Sequence, residues 1–143
     1  MKPDRGNAAA YIVTLPDNVA LLYRAQYAMR WRDMDAFGHL NNAVYFTYFE
    51  QARVDWLRSI NSSHALVLAN ISCTFLKPLK YPASLDVRLY AGAPGRSSLD
   101  TFYALYDSAT EELCALAHGT IVWYDHAAGK SIKIPDEVRR HLV

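Results

Sequence analysis

The chain has 143 residues, a formal net charge of +1, 52% hydrophobic residues and 13% aromatic ones, ten of them tyrosines. That suits one packed domain and is too short for two; the composition is that of a folded chain rather than a disordered one. No block of like charge stands out, which argues against nucleic acid or an anionic membrane as the main partner.

No stretch approaches about 18 uninterrupted apolar residues, so no membrane-spanning helix is expected. The N-terminus is polar and then alanine-rich, without the charged start and long apolar run of a signal peptide. Cys73 and Cys114 lie in apolar segments with no metal-ligand spacing and read as buried thiols. A cytoplasmic setting is the default expectation.

Residues 1–21 read as an N-terminal extension with a turn at Thr14-Leu15-Pro16-Asp17-Asn18, and 22–143 as a single domain. From Leu22, Tyr23, Ala25, Tyr27, Met29 and Trp31 alternate with Arg24, Gln26, Ala28, Arg30 and Arg32, the period of a half-buried strand. Asp33, Asp35 and Gly38 stop it. Asn41 and Asn42 are favoured helix caps. Tyr45, Phe49, Ala52, Trp56 and Ile60 then recur at helical spacing, with Phe46 and Leu57 widening the stripe. This predicts a helix over 43–60, about 27 Å long. It is apolar round much of its girth, as a helix wrapped by a sheet would be.

Strand-like segments follow. His64 to Lys77 is a long apolar run; Leu85, Val87 and Leu89 alternate with polar residues, as do Leu99, Thr101, Tyr103 and Leu105; Leu113 to Tyr124 is mostly apolar. Turns are expected at Gly92–Gly95, Asp107–Thr110 and His126–Gly129, then a short strand at Ser131–Ile134. The last residues suggest a short helix with Pro135 at its first position. The expected architecture is α+β: a curved antiparallel sheet, its later strands in a meander, around one helix. Open edges and an uncovered sheet face predict at least a dimer.

Asp33-Met34-Asp35-Ala36-Phe37-Gly38-His39-Leu40-Asn41-Asn42-Ala43-Val44-Tyr45 resembles the signature of the 4-hydroxybenzoyl-CoA thioesterase-like branch of the hotdog-fold superfamily, Asp-x-x-Gly-His-x-Asn-Asn-x-x-Tyr. Phe75-Leu76-Lys77-Pro78 and Gly95-Arg96-Ser97-Ser98 are weaker matches. The resemblance implies a hotdog fold and hydrolysis of acyl-CoA thioesters at sites on a dimer interface, without cofactor or metal, in a homodimer or homotetramer. It places the catalytic carboxylate on Asp35 and a less essential acid on Asp33. The Gly-His-x-Asn-Asn form is similar to that of long-chain or broad-range acyl-CoA enzymes.

A thioester needs only a polarised oxygen and a delivered nucleophile. Backbone N–H groups around Asn42 and Ala43 can polarise, because a helix start holds unpaired donors and about half a positive charge. Asp35 would be nucleophile or general base, a choice the sequence leaves open; the plain alternative is a turn residue. Gly38 and His39 shape or line the turn, Asn41 and Asn42 cap the helix, and Tyr45 either reaches the thioester or packs in the core. Glu50 is a reserve catalytic carboxylate with Arg53 at i+3 as its partner. Lys77, Arg88 and above all Arg96 are candidate contacts for coenzyme A phosphates. His118 reads as a core or interface histidine. A thioesterase acting on acyl carrier protein, with Lys77, Lys80 and Arg88 as a basic rim, and a non-catalytic acyl-CoA binder are the alternatives. No nucleophile elbow, phosphate-binding loop or His-Glu-x-x-His is present.

Overall fold

The alternation of the sequence becomes the two faces of one sheet. In β3 (Ser84–Pro94), Leu85, Val87, Leu89 and Ala91 are buried; in β4 (Ser98–Asp107), Leu99, Thr101, Tyr103 and Leu105; in β5 (Leu113–Asp125), Ala115, Ala117, Ile121 and Trp123. A computed structural model of the chain describes residues 12–142. The inward rows cover α1 (Asn42–Ser59), which buries Tyr45, Tyr48, Phe49, Ala52, Arg53 and Trp56. Phe49 is fully enclosed, its ring centroid 5.2 Å from that of Tyr103, a burial worth about 1.5–3 kcal/mol.

The sheet is antiparallel, in the order β1 (Ala20–Ala28), β3, β4, β5, β2 (Leu66–Phe75), and β6 (Lys130–Ser131) pairs with β5 beyond this path. The expected meander is therefore incomplete. β3 is flanked by β1 and β4, so β2 crosses to the free edge of β5, with Ser72 opposite His118 and Phe75 opposite Ala115. That crossing puts the end of β2 beside the start of α1.

The first strand is shorter than expected. β1 ends at Ala28, and Trp31–Asp33 form a 3-10 turn with Trp31 68% exposed. Asp33 causes the curl: it accepts from the Arg30 N–H at 2.9 Å and from its guanidinium, and the Tyr48 hydroxyl donates to it. Burial pushes the Asp33 carboxyl up, but the Tyr48 and Arg30 hydrogen bonds together outweigh it and hold the group below the usual carboxylate range. At the other end of the chain, β6 covers only two residues. Ile134 is buried instead, its N–H donating to the Arg96 carbonyl. Pro135 caps α2 (Asp136–Arg139) rather than opening it.

Of the expected extension, residues 1–11 lie outside the described ones. From Ile12 the chain runs along the sheet, Val13 donating to Thr74 Oγ1 at 2.8 Å. Cys114 is buried and Cys73 half-buried; both are free, and burial pushes the Cys73 thiol up to about 12 and raises Cys114 as well. His118 is half-buried, stacked on Phe102 and 3.2 Å from Asp100 Oδ1. Among the described residues no helix is long and apolar enough to cross a membrane.

Candidate active site

The loop between the 3-10 turn and α1 is closed by its own backbone. Met34 pairs with Leu40, the Asp35 N–H donates to the His39 carbonyl at 2.7 Å, and Gly38 donates to the Asp35 carbonyl at 3.1 Å. Gly38 has φ +81°, the left-handed region glycine enters without a Cβ penalty. The loop is then sewn to the segment before β3 by Leu40 N–H to Leu79 O at 2.8 Å and Tyr81 N–H to Gly38 O at 3.0 Å. His39 bridges Lys80 on that segment.

These bonds aim the Asp35 side chain. Its Oδ1 accepts from the N–H groups of Phe37 at 2.8 Å and His39 at 3.1 Å. Its Oδ2 has no hydrogen-bond partner among the described residues. The group is half-exposed, so one oxygen is fixed and the other is available.

Asn41 is the N-cap of α1, its Oδ1 accepting from Ala43 N–H at 3.0 Å. Val44 N–H donates to the Asn41 carbonyl at 2.9 Å. The expectation of two poised donors thus narrows to one: Ala43 is occupied by the cap, whereas the Asn42 N–H has no partner among the described residues. It sits where the helix dipole is most positive.

Both groups border one cavity of about 280 Å³. The loop and helix start contribute Asp35, His39, Leu40, Asn42 and Tyr45; the segment leaving β2 contributes Phe75, Leu76, Lys77 and Pro78. Tyr45 is 2% exposed and meets Phe75 edge-on at 4.9 Å between centroids. Burial, and secondarily the neighbouring Cys114 and Cys73, push its hydroxyl up to about 12, so Tyr45 is a neutral wall near pH 7.

Other sequence candidates lie elsewhere. Lys77 borders the cavity but is ion-paired with Glu112. Lys80 is exposed beside His39. Arg88 pairs with Asp86 and lies over the Tyr106 ring at 4.1 Å. Arg96 is exposed at the β3–β4 turn, not on the cavity. Glu50 is exposed on α1, also away from the cavity. Its expected partner Arg53 is buried and donates to the Tyr103 hydroxyl at 3.0 Å instead, because that hydroxyl sits across the core from it. The sequence reading took Lys77 from Phe75-Leu76-Lys77-Pro78 and missed the other three residues as cavity wall. The motif was visible; the strand crossing that brings it to the helix start was not.

Residues 29–142 match the model of the thioesterase-like superfamily. The chain belongs to that superfamily. Its fold is the hotdog fold expected from the motif, a sheet wrapped on one long helix. The thioesterase-like chain is 36% identical to the PA2801 protein of Pseudomonas aeruginosa, with a TM-score of 0.80 over 85% of this chain and 98% of that one. It is 29% identical to a Thermus thermophilus thioesterase complexed with coenzyme A and zinc, with a TM-score of 0.72 over 85% and 92% of the two chains. It is also 25% identical to the chloroplastic acyl-acyl carrier protein thioesterase ATL3 of Arabidopsis thaliana, over 85% of this chain and 67% of that protein. Among the described residues of this chain, no group of three or more His, Cys, Asp or Glu side chains is placed to hold a metal ion.

Proposed function

We propose that this thioesterase-like protein hydrolyses acyl-CoA thioesters to a free acid and coenzyme A, with Asp35 as general base or nucleophile. The observation that supports it most is that Asp35, with one carboxylate oxygen unpartnered among the described residues, and Asn42, whose N–H is likewise unpartnered among them, line the same cavity. A thioester carbonyl oxygen at the Asn42 N–H is polarised by the donor and the helix dipole. Asp35 Oδ2 then takes a proton from water as its oxygen bonds to the carbonyl carbon. The C–S bond breaks and the thiolate leaves, to be protonated as coenzyme A. In the alternative course Asp35 itself bonds to the carbonyl carbon, expels the thiolate and forms an anhydride that water cleaves. The apolar wall of Leu40, Phe75 and Leu76 suits an acyl group.

Thiol release across a panel of acyl-CoAs tests the activity. A single turnover in H₂¹⁸O tests the second course: label in the Asp35 carboxyl marks the nucleophile, put there by water attacking the aspartyl carbonyl of the anhydride. Exposed Lys80 beside His39 favours a second reading, an acidic acyl carrier protein as the donor. Matched acyl-CoA and acyl-carrier substrates decide between them by kcat/KM. Tight acyl-CoA binding without thiol release from either would mean a non-catalytic binder.

We also infer a homo-oligomer. Among the described residues β2 is an open edge, with Leu68 38% and Phe75 39% exposed on it and Leu76 50% exposed just past its end, a surface a monomer would leave wet.

A further inference from the structure

The cavity that holds Asp35 and Asn42 stops abruptly on its inner side. Its wall on α1 ends at Tyr45, and its wall on β2 ends at Phe75. Phe49, one turn further along the helix, borders no part of it. Neither does Cys73, the next inward residue back along β2, which stands opposite buried Ala117. Both walls therefore end at one pair of rings. Tyr45 is 2% exposed and Phe75 39%, and they meet edge-to-face, with centroids 4.9 Å apart and planes at 76°, an arrangement that aromatic pairs favour.

Behind the pair the side chains are apolar and still partly open. Phe46 on α1 and Cys73 on β2 pack against the core cluster but are only partly buried. Cys73 and Cys114 lie close to the Tyr45 ring, since after burial itself they are what raises its hydroxyl. In front of the pair there is little depth. Tyr45 follows Asn42 by three residues, about 4.5 Å along the helix axis. The whole cavity, about 280 Å³, falls at the foot of the range usual for drug-sized ligands, roughly 300–1,000 Å³. A thioester whose carbonyl oxygen sits at the Asn42 N–H thus has space for a few acyl carbons before they meet the rings.

We propose that the Tyr45–Phe75 pair is the stop that sets acyl length, so that the site takes short acyl groups and rejects long ones. This narrows the long-chain or broad range suggested by the motif. Selection works through the rings. Each further methylene must push one of them out of a packed contact, whereas removing either ring joins the cavity to the space beside Phe46 and Cys73. The inference rests on the proposed hydrolysis for its substrate, and on geometry alone for the stop.

The test pairs turnover with a readout that needs none. Across acetyl-, hexanoyl-, decanoyl- and palmitoyl-CoA, kcat/KM of the wild type falls by about 10-fold or more from hexanoyl to decanoyl. Phe75→Ala and Tyr45→Ala each raise the decanoyl-to-hexanoyl ratio by about 10-fold or more. On the same samples, timed iodoacetamide labels Cys73 faster in the variants than in the wild type. A decanoyl-CoA analogue with a methylene between carbonyl and sulfur slows that labelling. Far-UV circular dichroism checks folding; if Tyr45→Ala does not fold, Phe75→Ala carries the test, its side chain being the more exposed. A wild type that turns over palmitoyl-CoA as well as hexanoyl-CoA overturns the proposal. So does a folded Phe75→Ala protein with the wild-type ratio, or one whose Cys73 labels no faster. Faster Cys73 labelling that the analogue slows, in a protein that releases no thiol from any acyl-CoA, supports the stop and overturns only the chemical reading.

Discussion

Asp35 and His39 are tied to each other twice: the Asp35 N–H donates to the His39 carbonyl at 2.7 Å, and Asp35 Oδ1 accepts from the His39 N–H at 3.1 Å. The backbone bond shapes the turn and the side-chain bond sets the carboxylate's direction. One residue therefore serves as turn former and as candidate reactant, through different oxygens. Substitutions that keep Oδ1 as an acceptor keep the turn, which makes the two roles separable.

Asp33 is expected to matter for stability rather than chemistry. At pH 7, Asp33→Asn lowers unfolding free energy by about 1–3 kcal/mol, because a buried acceptor of the Arg30 and Tyr48 donors loses its charge. Its folded pKa is depressed. Its contribution is thus fully present above the unfolded value of about 4 and lost as pH falls through the lower folded value. Chemical denaturation from pH 7 downward should show the difference between wild type and Asp33→Asn holding to about pH 4 and shrinking below it. A difference that grows on acidification would contradict the assignment.

Asn41→Ala removes the acceptor for the Ala43 N–H. Urea unfolding is expected to show a loss of about 1 kcal/mol, as for other helix caps. A loss of more than about 3 kcal/mol would mean that Asn41 does more than cap.

The two thiols should be slow to react. With the Cys73 thiol near 12, its thiolate fraction at pH 8 is on the order of a thousandfold below that of an ordinary cysteine. Mass spectrometry after timed iodoacetamide treatment should find Cys73 and Cys114 unmodified in the folded protein and modified in urea. Labelling of the folded chain at the rate of a free thiol would show that the site is open.

Most of the architecture was legible because period and burial coincide. The inward residues of β3 and β4 are those that alternate in the sequence, and the apolar stripe of α1 appears within a residue of its predicted ends. The turn holding Asp35 was legible through Gly38 and the asparagines, each needed for a local backbone reason. What escaped was non-local. No pattern within β2 records that it pairs with β5, and that pairing carries Phe75 and Leu76 to the cavity. Arg53 looked like a partner for Glu50 at i+3, yet the Tyr103 hydroxyl, 50 residues away in sequence, takes it. The early end of β1 follows from the grip of Asp33 on Arg30, which strand alternation through Trp31 concealed.

The most direct measurement is acyl-CoA thiol release by Asp35→Asn beside the wild type, with thermal unfolding of both. The asparagine Oδ1 still accepts from Phe37 and His39, so the melting temperature should barely move, while release falls by about 100-fold or more. A folded Asp35→Asn protein that keeps activity within a few-fold of the wild type would contradict the role given to this carboxylate.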